Sequence, residues 1–458
     1  MDPKQIKPGM MVRRRSPRSV AKARIASALC LIPGIYCIGI VAFALRNAPD
    51  YATALPQFLR YIAAPGLLAI LFALVAVKGS RVLRVNLGGA ACIVLVVLFV
   101  NETRLEAQYL SAVSDLFTTP VVDASEKVAR VHGLPPGRTV KSLNQSLGTA
   151  RLQDAVVGGL PKSQVDLCTL NNRAITYQAD RYGFRNPEAA YARPTDLLVV
   201  GDSFVEGICL LEGEDLMGRL RATRQDVVGL GIRGAGPLMN LAILGRYGAA
   251  LRPNWTVVVF YEGNDWEDLE RELSVPWLRE GLENNAVFGP TSLSSELIGR
   301  AEAQVDRWAA ESAPDSKDLL RKTHTLRNFL ALHQTWTQVG LGYPKVARRI
   351  PQFDQALARM RRIVGSWRGR LALAYIPQTS RFVGALPDQF VYDQLRKQVL
   401  ASAMAQGIPI IDLTPGMSRQ TRPIDLYRDG HFNAKGARFA AEAIVAELDR
   451  LNLQAGER

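Results

Sequence analysis

Residues 195–207 read Thr195-Asp196-Leu197-Leu198-Val199-Val200-Gly201-Asp202-Ser203-Phe204-Val205-Glu206-Gly207, and this stretch decides the fold. Leu197 to Val200 is a short apolar run closed by a glycine, the pattern of a buried strand. Asp202 and Ser203 then fall on the turn beyond the strand's carboxyl end, where open α/β sheets place their chemistry. Ser203 is therefore expected on an exposed, rigidly held turn.

Downstream, further β-type runs occur at Val227–Leu230, Thr256–Tyr261, Leu371–Ile376 and Ile408–Leu413. Helix-length segments such as Pro237–Leu251 and Phe353–Trp367 separate them. Alternation of this kind predicts five parallel strands joined by right-handed crossovers, a three-layer α/β domain. The interval from about 266 to 351 is too long for one crossover. It is polar, contains the helix-like run Asp318–Val339, and is expected to form a lid or subdomain over the strand ends.

Upstream the composition changes. The chain of 458 residues carries a net charge of +14, which by itself would suggest nucleic acid or anionic lipid as a partner. Residues 1–24 hold eight Lys/Arg and one Asp, residues 25–100 hold five and one, and the remaining 358 hold 43 basic and 40 acidic side chains. The excess thus flanks three charge-free apolar runs, Ser27 to Leu45, Tyr61 to Val77 and Val85 to Val100, and nucleic acid is not an expected partner. These runs approach the roughly 20 residues that cross a bilayer, the third being at the short limit.

Lys4, Lys7, Arg13, Arg14, Arg15, Arg18, Lys22 and Arg24 crowd the head, and Lys78, Arg81 and Arg84 the second connection, against only Arg46 and Arg60 in the first. By the excess of positive charge on cytoplasmic loops, head and second connection are expected inside. The expectation is a multi-pass inner (plasma) membrane protein with its large C-terminal region periplasmic or otherwise extracytoplasmic. Cleavage of the first run as a signal peptide near Ala42-Phe43-Ala44 would leave that placement unchanged. The expected organisation is a basic head over 1–24, a membrane region over 25–100, an irregular linker over 101–175 and the α/β domain over 176–458.

Cys30, Cys37 and Cys92 lie in the apolar runs and read as packing residues. Cys168 and Cys209 flank the serine stretch, and in an oxidising compartment they are candidates for one disulfide. The segment Tyr177 to Pro187 is expected either to shape the rim of the site or to be a solvated connection.

Chemistry-bearing residues succeed the strands: Ser203 after the first, Gly229 to Gly236 after the second, Glu262-Gly263-Asn264-Asp265 after the third, and Asp429-Gly430-His431 near the end. All would gather at one sheet edge. The glycine-rich run lacks dinucleotide or phosphate-loop spacing, and no His/Cys cluster has metal-ligand spacing. Neither cofactor nor metal is expected.

The order Gly201-Asp202-Ser203, Gly234, Gly263-Asn264-Asp265 and Asp429-Gly430-His431 resembles the four blocks of the SGNH/GDSL hydrolases, over about residues 180–450. That resemblance implies a flavodoxin-like fold and serine esterase or acyltransferase activity. Many members carry Asp three residues before the His, where this chain has Arg428; Asp429 stands two before, as in the alginate O-acetyltransferase branch. Carbohydrate O-acyl chemistry is thereby favoured over lipolysis.

The physical roles agree with the resemblance. A serine hydroxyl needs a base within hydrogen-bond reach, and imidazole suits the task. Of four histidines, His132 lies in a Gly/Pro-rich stretch and His324 and His333 in the insertion, leaving His431 as base. Asp429 would hold its tautomer. The Ser203 and Gly234 N–H groups and the Asn264 amide would receive the oxyanion. Asp202, which more simply orders the turn, is placed with Glu262, Asp265 and Trp266 as substrate-lining. Three functions are compatible with these residues: an esterase acting on an acylated glycan or other ester, an acyltransferase with the same Ser203 intermediate served by a membrane-bound acyl-transfer partner, or a non-catalytic glycan-binding scaffold.

Overall fold

The computed structural model describes residues 17–46, 55–117, 132–170, 173–310, 320, 325–340, 347–384 and 389–456. The head up to residue 16, the first connection from 47 to 54, residues 118–131 and His324 lie outside them. The chain divides into two units, Met1–Arg104 and Leu105–Arg458.

In the first unit the apolar runs form helices α1 (Pro17–Arg46), α2 (Ala64–Lys78, entered through a π-helical turn, Leu59–Ala63) and α3 (Arg81–Phe117, which continues into the second unit). Three segments are long and apolar enough to cross a membrane: Arg24–Arg46, Leu59–Lys78 and Arg81–Ser111. The third, read as the shortest, is the longest of them. Large apolar side chains such as Ile35, Leu67, Ile93 and Val100 point outward, so these helices lack the polar face of a water-soluble helix. A Cβ on Gly88 would lie 2.7 Å from the Leu29 carbonyl carbon, so α1 and α3 approach closely only because that side chain is absent. Arg84 fastens the second connection, donating to Ser27 Oγ, Gly79 O and Val77 O, each at 3.0 Å.

The second unit is built on strands β1 (Gln164–Leu170), β2 (Arg173–Gln178), β3 (Leu197–Gly201), β4 (Val227–Gly231), β5 (Trp255–Tyr261), β6 (Arg370–Ile376), β7 (Ile410–Asp412), β8 (Tyr427–Arg428) and β9 (His431–Phe432). Its labelled helices are α4 (Val140–Leu147), α5 (Ser203–Glu206), α6 (Leu216–Thr223), α7 (Pro237–Leu251), α8 (Asp265–Glu272), α9 (Ser295–Ala310), α10 (Thr325–Leu330), α11 (His333–Val339), α12 (Pro351–Gly365), α13 (Gln389–Ala405) and α14 (Ala434–Gly456), with further short helical segments between. β3 to β7 form the expected five-stranded parallel sheet, in the order β4-β3-β5-β6-β7.

Side-chain alternation along the strands separates two cores. Leu198, Val200, Leu230, Phe260 and Tyr375 face α7, α12 and α13. Leu197, Val199, Val257 and Ala374 face α6 and α14. Burial on both faces is why these strands read as continuous apolar runs. The order reverses between β3 and β5, so the carboxyl ends of β3, β4 and β5 open at a topological switch point, where doubly wound sheets bind ligands.

Two expectations need correction. Residues 132–175 are not a linker: Leu134, Val140, Leu143, Leu152, Val156 and Leu160 are buried in the first core, and β1 pairs antiparallel with β2. Their glycines and prolines make turns between irregularly spaced apolar residues, which leaves no period to read. The 266–351 interval is only in part a cover over the strand ends, because Leu269, Trp277, Leu278, Ala301, Val305 and Trp308 belong to the same core.

Candidate active site

Ser203 stands on the turn after β3 as the sequence implies, but it is buried rather than exposed. β3 ends at Gly201, Asp202 caps α5 by accepting the Phe204 N–H at 3.0 Å, and Ser203 is the first residue of that helix. A Cβ on Gly231 would sit 2.5 Å from Glu206 N, so only glycine lets β4 lie against α5. The far end of α5 is tied down by Arg185, whose guanidinium donates to the carbonyls of Glu206 (3.2 Å), Gly207 (2.8 Å) and Leu210 (2.9 Å). Arg185 comes from the Tyr177 to Pro187 segment, expected at a rim or in solvent. Asp180, Arg185 and Asn186 are instead buried, and the Asn186 amide pairs with both backbone groups of Gly229 in β4.

His431 arrives on a hairpin. β8 and β9 pair Arg428 with His431, leaving Asp429 (φ 49°) and Gly430 (φ 83°) as a two-residue turn with both central residues at positive φ. Asp-Gly is the dipeptide such a turn favours. The turn sets His431 Nε2 2.9 Å from Ser203 Oγ. Phe204 supports the ring at 5.2 Å, itself wedged against Tyr261 at 4.3 Å and Phe432 at 4.8 Å. The Tyr261 hydroxyl donates to Gly430 O at 3.1 Å, and Arg428 donates to Cys209 O at 2.9 Å. Cys209 forms the expected disulfide with Cys168 of β1.

Burial pushes the His431 imidazole down to about 4, against smaller upward pulls from the Asp429 backbone carbonyl and the Glu206 carboxylate. The ring is therefore neutral at pH 7, able to accept the Ser203 proton at Nε2. Its Nδ1 is buried without a hydrogen-bond partner among the described residues. Asp429 itself is exposed, and its carboxylate bonds to none of the described residues.

The three expected donors differ in state. The N–H groups of Ser203 and Gly234 make no hydrogen bond among the described residues, and Gly234 takes φ 74°. Asn264 Nδ2 donates one hydrogen to Asp268 Oδ2 at 2.6 Å, which leaves its second hydrogen available.

The four residues expected to line the substrate are buried. Asp202 is the helix cap; burial, reinforced by Asp268, pushes its carboxyl up to about 7. Glu262, fully buried, accepts from Tyr375 Oη at 2.6 Å, Gln378 N at 3.0 Å and Arg381 Nη2 at 2.5 Å. Asp265 accepts the Tyr261 N–H at 2.9 Å, and burial followed by the nearby Asp202 raises its carboxyl. Trp266 packs on Phe353 at 5.3 Å and donates to Arg348 O. Side chains after a buried strand can turn back into the core, and nothing in their types distinguishes that from turning outward.

Sequence reasoning missed two features. A cavity of about 650 Å³ beside the His431 turn is lined by Tyr261, Asn264, Asp429 and Gly430, together with Asn328 of α10 and His333 of α11. Lys141, from the supposed linker, bonds to both Asp268 and Glu272 behind Asn264. A lone lysine among turn residues carries no sequence signal of that role. Among the described residues no group of three or more His, Cys, Asp or Glu is arranged to hold a metal ion.

Residues 341–458 match the family model described as SGNH hydrolase-like domain, acetyltransferase AlgX; this segment includes Asp429 and His431 but not Ser203. Similar solved structures include the lipase/acylhydrolase from Enterococcus faecalis (17% identity, 56% of this chain and 95% of that one, TM-score 0.31). TesA is similar at 16% identity over 56% of this chain and 99% of its own, TM-score 0.30. A catalytic mutant of Axe2, an acetylxylan esterase from Geobacillus stearothermophilus, matches at 13% identity over 55% and 93%, TM-score 0.30. No curated protein sequence matches the chain. Residues 341–458, which hold β6, β7 and the His431 hairpin of the five-stranded domain, thus resemble an SGNH hydrolase-like domain and lie downstream of three apolar helices.

Proposed function

We propose that this protein is a membrane-anchored serine esterase acting outside the cytoplasm on acyl esters, chiefly acetyl, of a polysaccharide or envelope glycan. The observation that carries the reading is the 2.9 Å contact between Ser203 Oγ and a neutral His431 Nε2 at the switch point of the sheet. Ser203 Oγ attacks the ester carbonyl while His431 takes its proton. The tetrahedral oxyanion is received by the Ser203 and Gly234 N–H groups and the free hydrogen of Asn264, each such donor contributing about 3–4 kcal/mol. Collapse expels the sugar alkoxide, which takes the proton from His431 and leaves acetyl on Ser203. Water activated by the same imidazole then releases acetate. Asp429 is the acid proposed for Nδ1: rotation of its exposed side chain on the hairpin turn brings the carboxylate to the imidazolium that forms during attack.

The three apolar helices and the positive charge of the head and second connection support the membrane anchor, and the disulfide supports an oxidising compartment for the domain. A transferase reading, in which a sugar hydroxyl replaces water in the second step and a membrane-bound partner supplies the acyl group, is favoured by one observation, the match to an acetyltransferase family model.

Both readings are tested with full-length protein in detergent, given p-nitrophenyl acetate with and without a sugar oligomer, beside Ser203→Ala. Loss of nitrophenol release in Ser203→Ala is expected. Free acetate alone marks the esterase, and acetyl on the sugar marks the transferase. Turnover that survives in Ser203→Ala refutes the site, and no turnover in folded wild-type protein favours the glycan-binding scaffold.

A further inference from the structure

One lysine is bonded to the supports of two proposed oxyanion donors. Lys141 on α4 donates through Nζ to Asp268 Oδ1 at 3.0 Å and to Glu272 Oε1 at 3.1 Å. Glu272, fully buried, accepts the N–H of Gly236 at 2.7 Å and that of Leu238 at 2.9 Å, which anchors the end of the loop containing Gly234. Asp268 accepts Asn264 Nδ2 through its other oxygen. Thr139, the N-cap of α4, packs against Gly234: its Cγ2 lies 2.8 Å from where a Gly234 Cβ would be.

We propose that Lys141 is a positioning residue for the oxyanion hole, fixing Gly234 through Glu272 and aiming Asn264 through Asp268. The inference rests on the acyl-enzyme reading above. Its electrostatic logic is independent of the bonds. Asp202, Asp265, Asp268 and Glu272 are four buried carboxyl groups whose charges oppose one another, and they would also oppose a developing oxyanion. Arg271 reaches Asp268 at 3.1 Å, but its side chain is 66% exposed, whereas that of Lys141 is 18% exposed. The lysine is thus the less screened of the two cations. Asn264 keeps one hydrogen on Asp268, and the position of that carboxylate fixes where its other hydrogen points.

The test uses full-length protein in detergent with p-nitrophenyl acetate, at a temperature where circular dichroism shows every variant folded. Lys141→Met is expected to lower kcat about 10- to 100-fold, less than the ~10²–10³ for outright loss of a donor. KM should stay within about twofold and Lys141→Arg should recover most of the rate. In an Asn264→Ala background Lys141→Met should cost less than it does alone, because one of its two routes is already gone. A wild-type kcat in Lys141→Met while Ser203→Ala is inactive overturns the positioning role. So does strict additivity with Asn264→Ala, or no recovery by Arg. Turnover in Ser203→Ala instead overturns the catalytic reading, a separate result. If Lys141→Met does not fold, Lys141→Gln replaces it with the same expected and refuting results.

Discussion

Replacing Asp429 by Asn isolates what the acid adds, because Asn tolerates the positive φ of 49° and Asn-Gly is itself a favoured pair for this turn. The hairpin should survive and His431 should keep its place. In the free protein the carboxylate makes no bond to the ring, and the base is set by burial at about 4. Asp429→Asn should therefore leave the acid limb of kcat/KM, which reports the free enzyme, where it is. A histidine depressed below its unfolded value near 6.5 stays neutral and active above about 4, and loses activity as pH falls through that value. In the proposed mechanism the carboxylate contributes during attack, as one charge-assisted hydrogen bond to the imidazolium. Such a bond is worth about 1.5–3 kcal/mol, a fall in kcat of about 10- to 150-fold. The assay is nitrophenol release by full-length wild type and Asp429→Asn from about pH 3.5 to 9. An unchanged kcat would make Asp429 only a turn residue. A loss as large as that of Ser203→Ala would mean the triad is already closed before substrate binds, and a wild-type acid limb near 6.5 would refute the burial argument itself.

Stability gives two further predictions. Arg381→Met removes the cation beside the buried Glu262 carboxylate, which also accepts from Tyr375 and Gln378, and should cost about 3–5 kcal/mol, read as earlier unfolding in denaturant. Adding Glu262→Gln should restore part of this, and a double variant no better than the single would show that the charge is not what matters. Cys168→Ser with Cys209→Ser opens a loop with a sequence separation of 41, worth about 4 kcal/mol by chain entropy. An unfolding midpoint in the double variant equal to that of wild type under non-reducing conditions would refute it.

Much of the site was legible because its residues are punctuated by the fold. Ser203, Gly234 and Asn264 each come after an apolar run that can only be a buried strand, and strands buried on both faces must end at a shared edge. The Asp-Gly turn before His431 was readable as turn chemistry, though its geometry was not. Lys141 and Arg185 were not legible, since their partners are 127 residues away in Asp268 and a set of backbone carbonyls, and neither relation leaves a period or a motif. Glu262, Asp265 and Trp266 were misplaced for a related reason. Their types fit both a wet acceptor surface and a buried polar network, and only packing against Arg381, the Tyr261 N–H and Phe353 decides between them.

Taken alone, the sequence determined the apolar helices, the parallel sheet, the order in which its chemistry succeeds the strands, and the pair of cysteines able to bridge. Each of these depends on local pattern: hydrophobic period, run length, turn dipeptides and charge placement. The tertiary structure alone decided that the stretch from Leu134 to Leu160 contributes to the core, that four expected lining residues are buried, and that Lys141 bonds to Asp268 and Glu272. These depend on which distant groups meet at a given depth. A buried carboxylate must find a donor wherever the fold brings one, and that choice is made in space rather than along the chain.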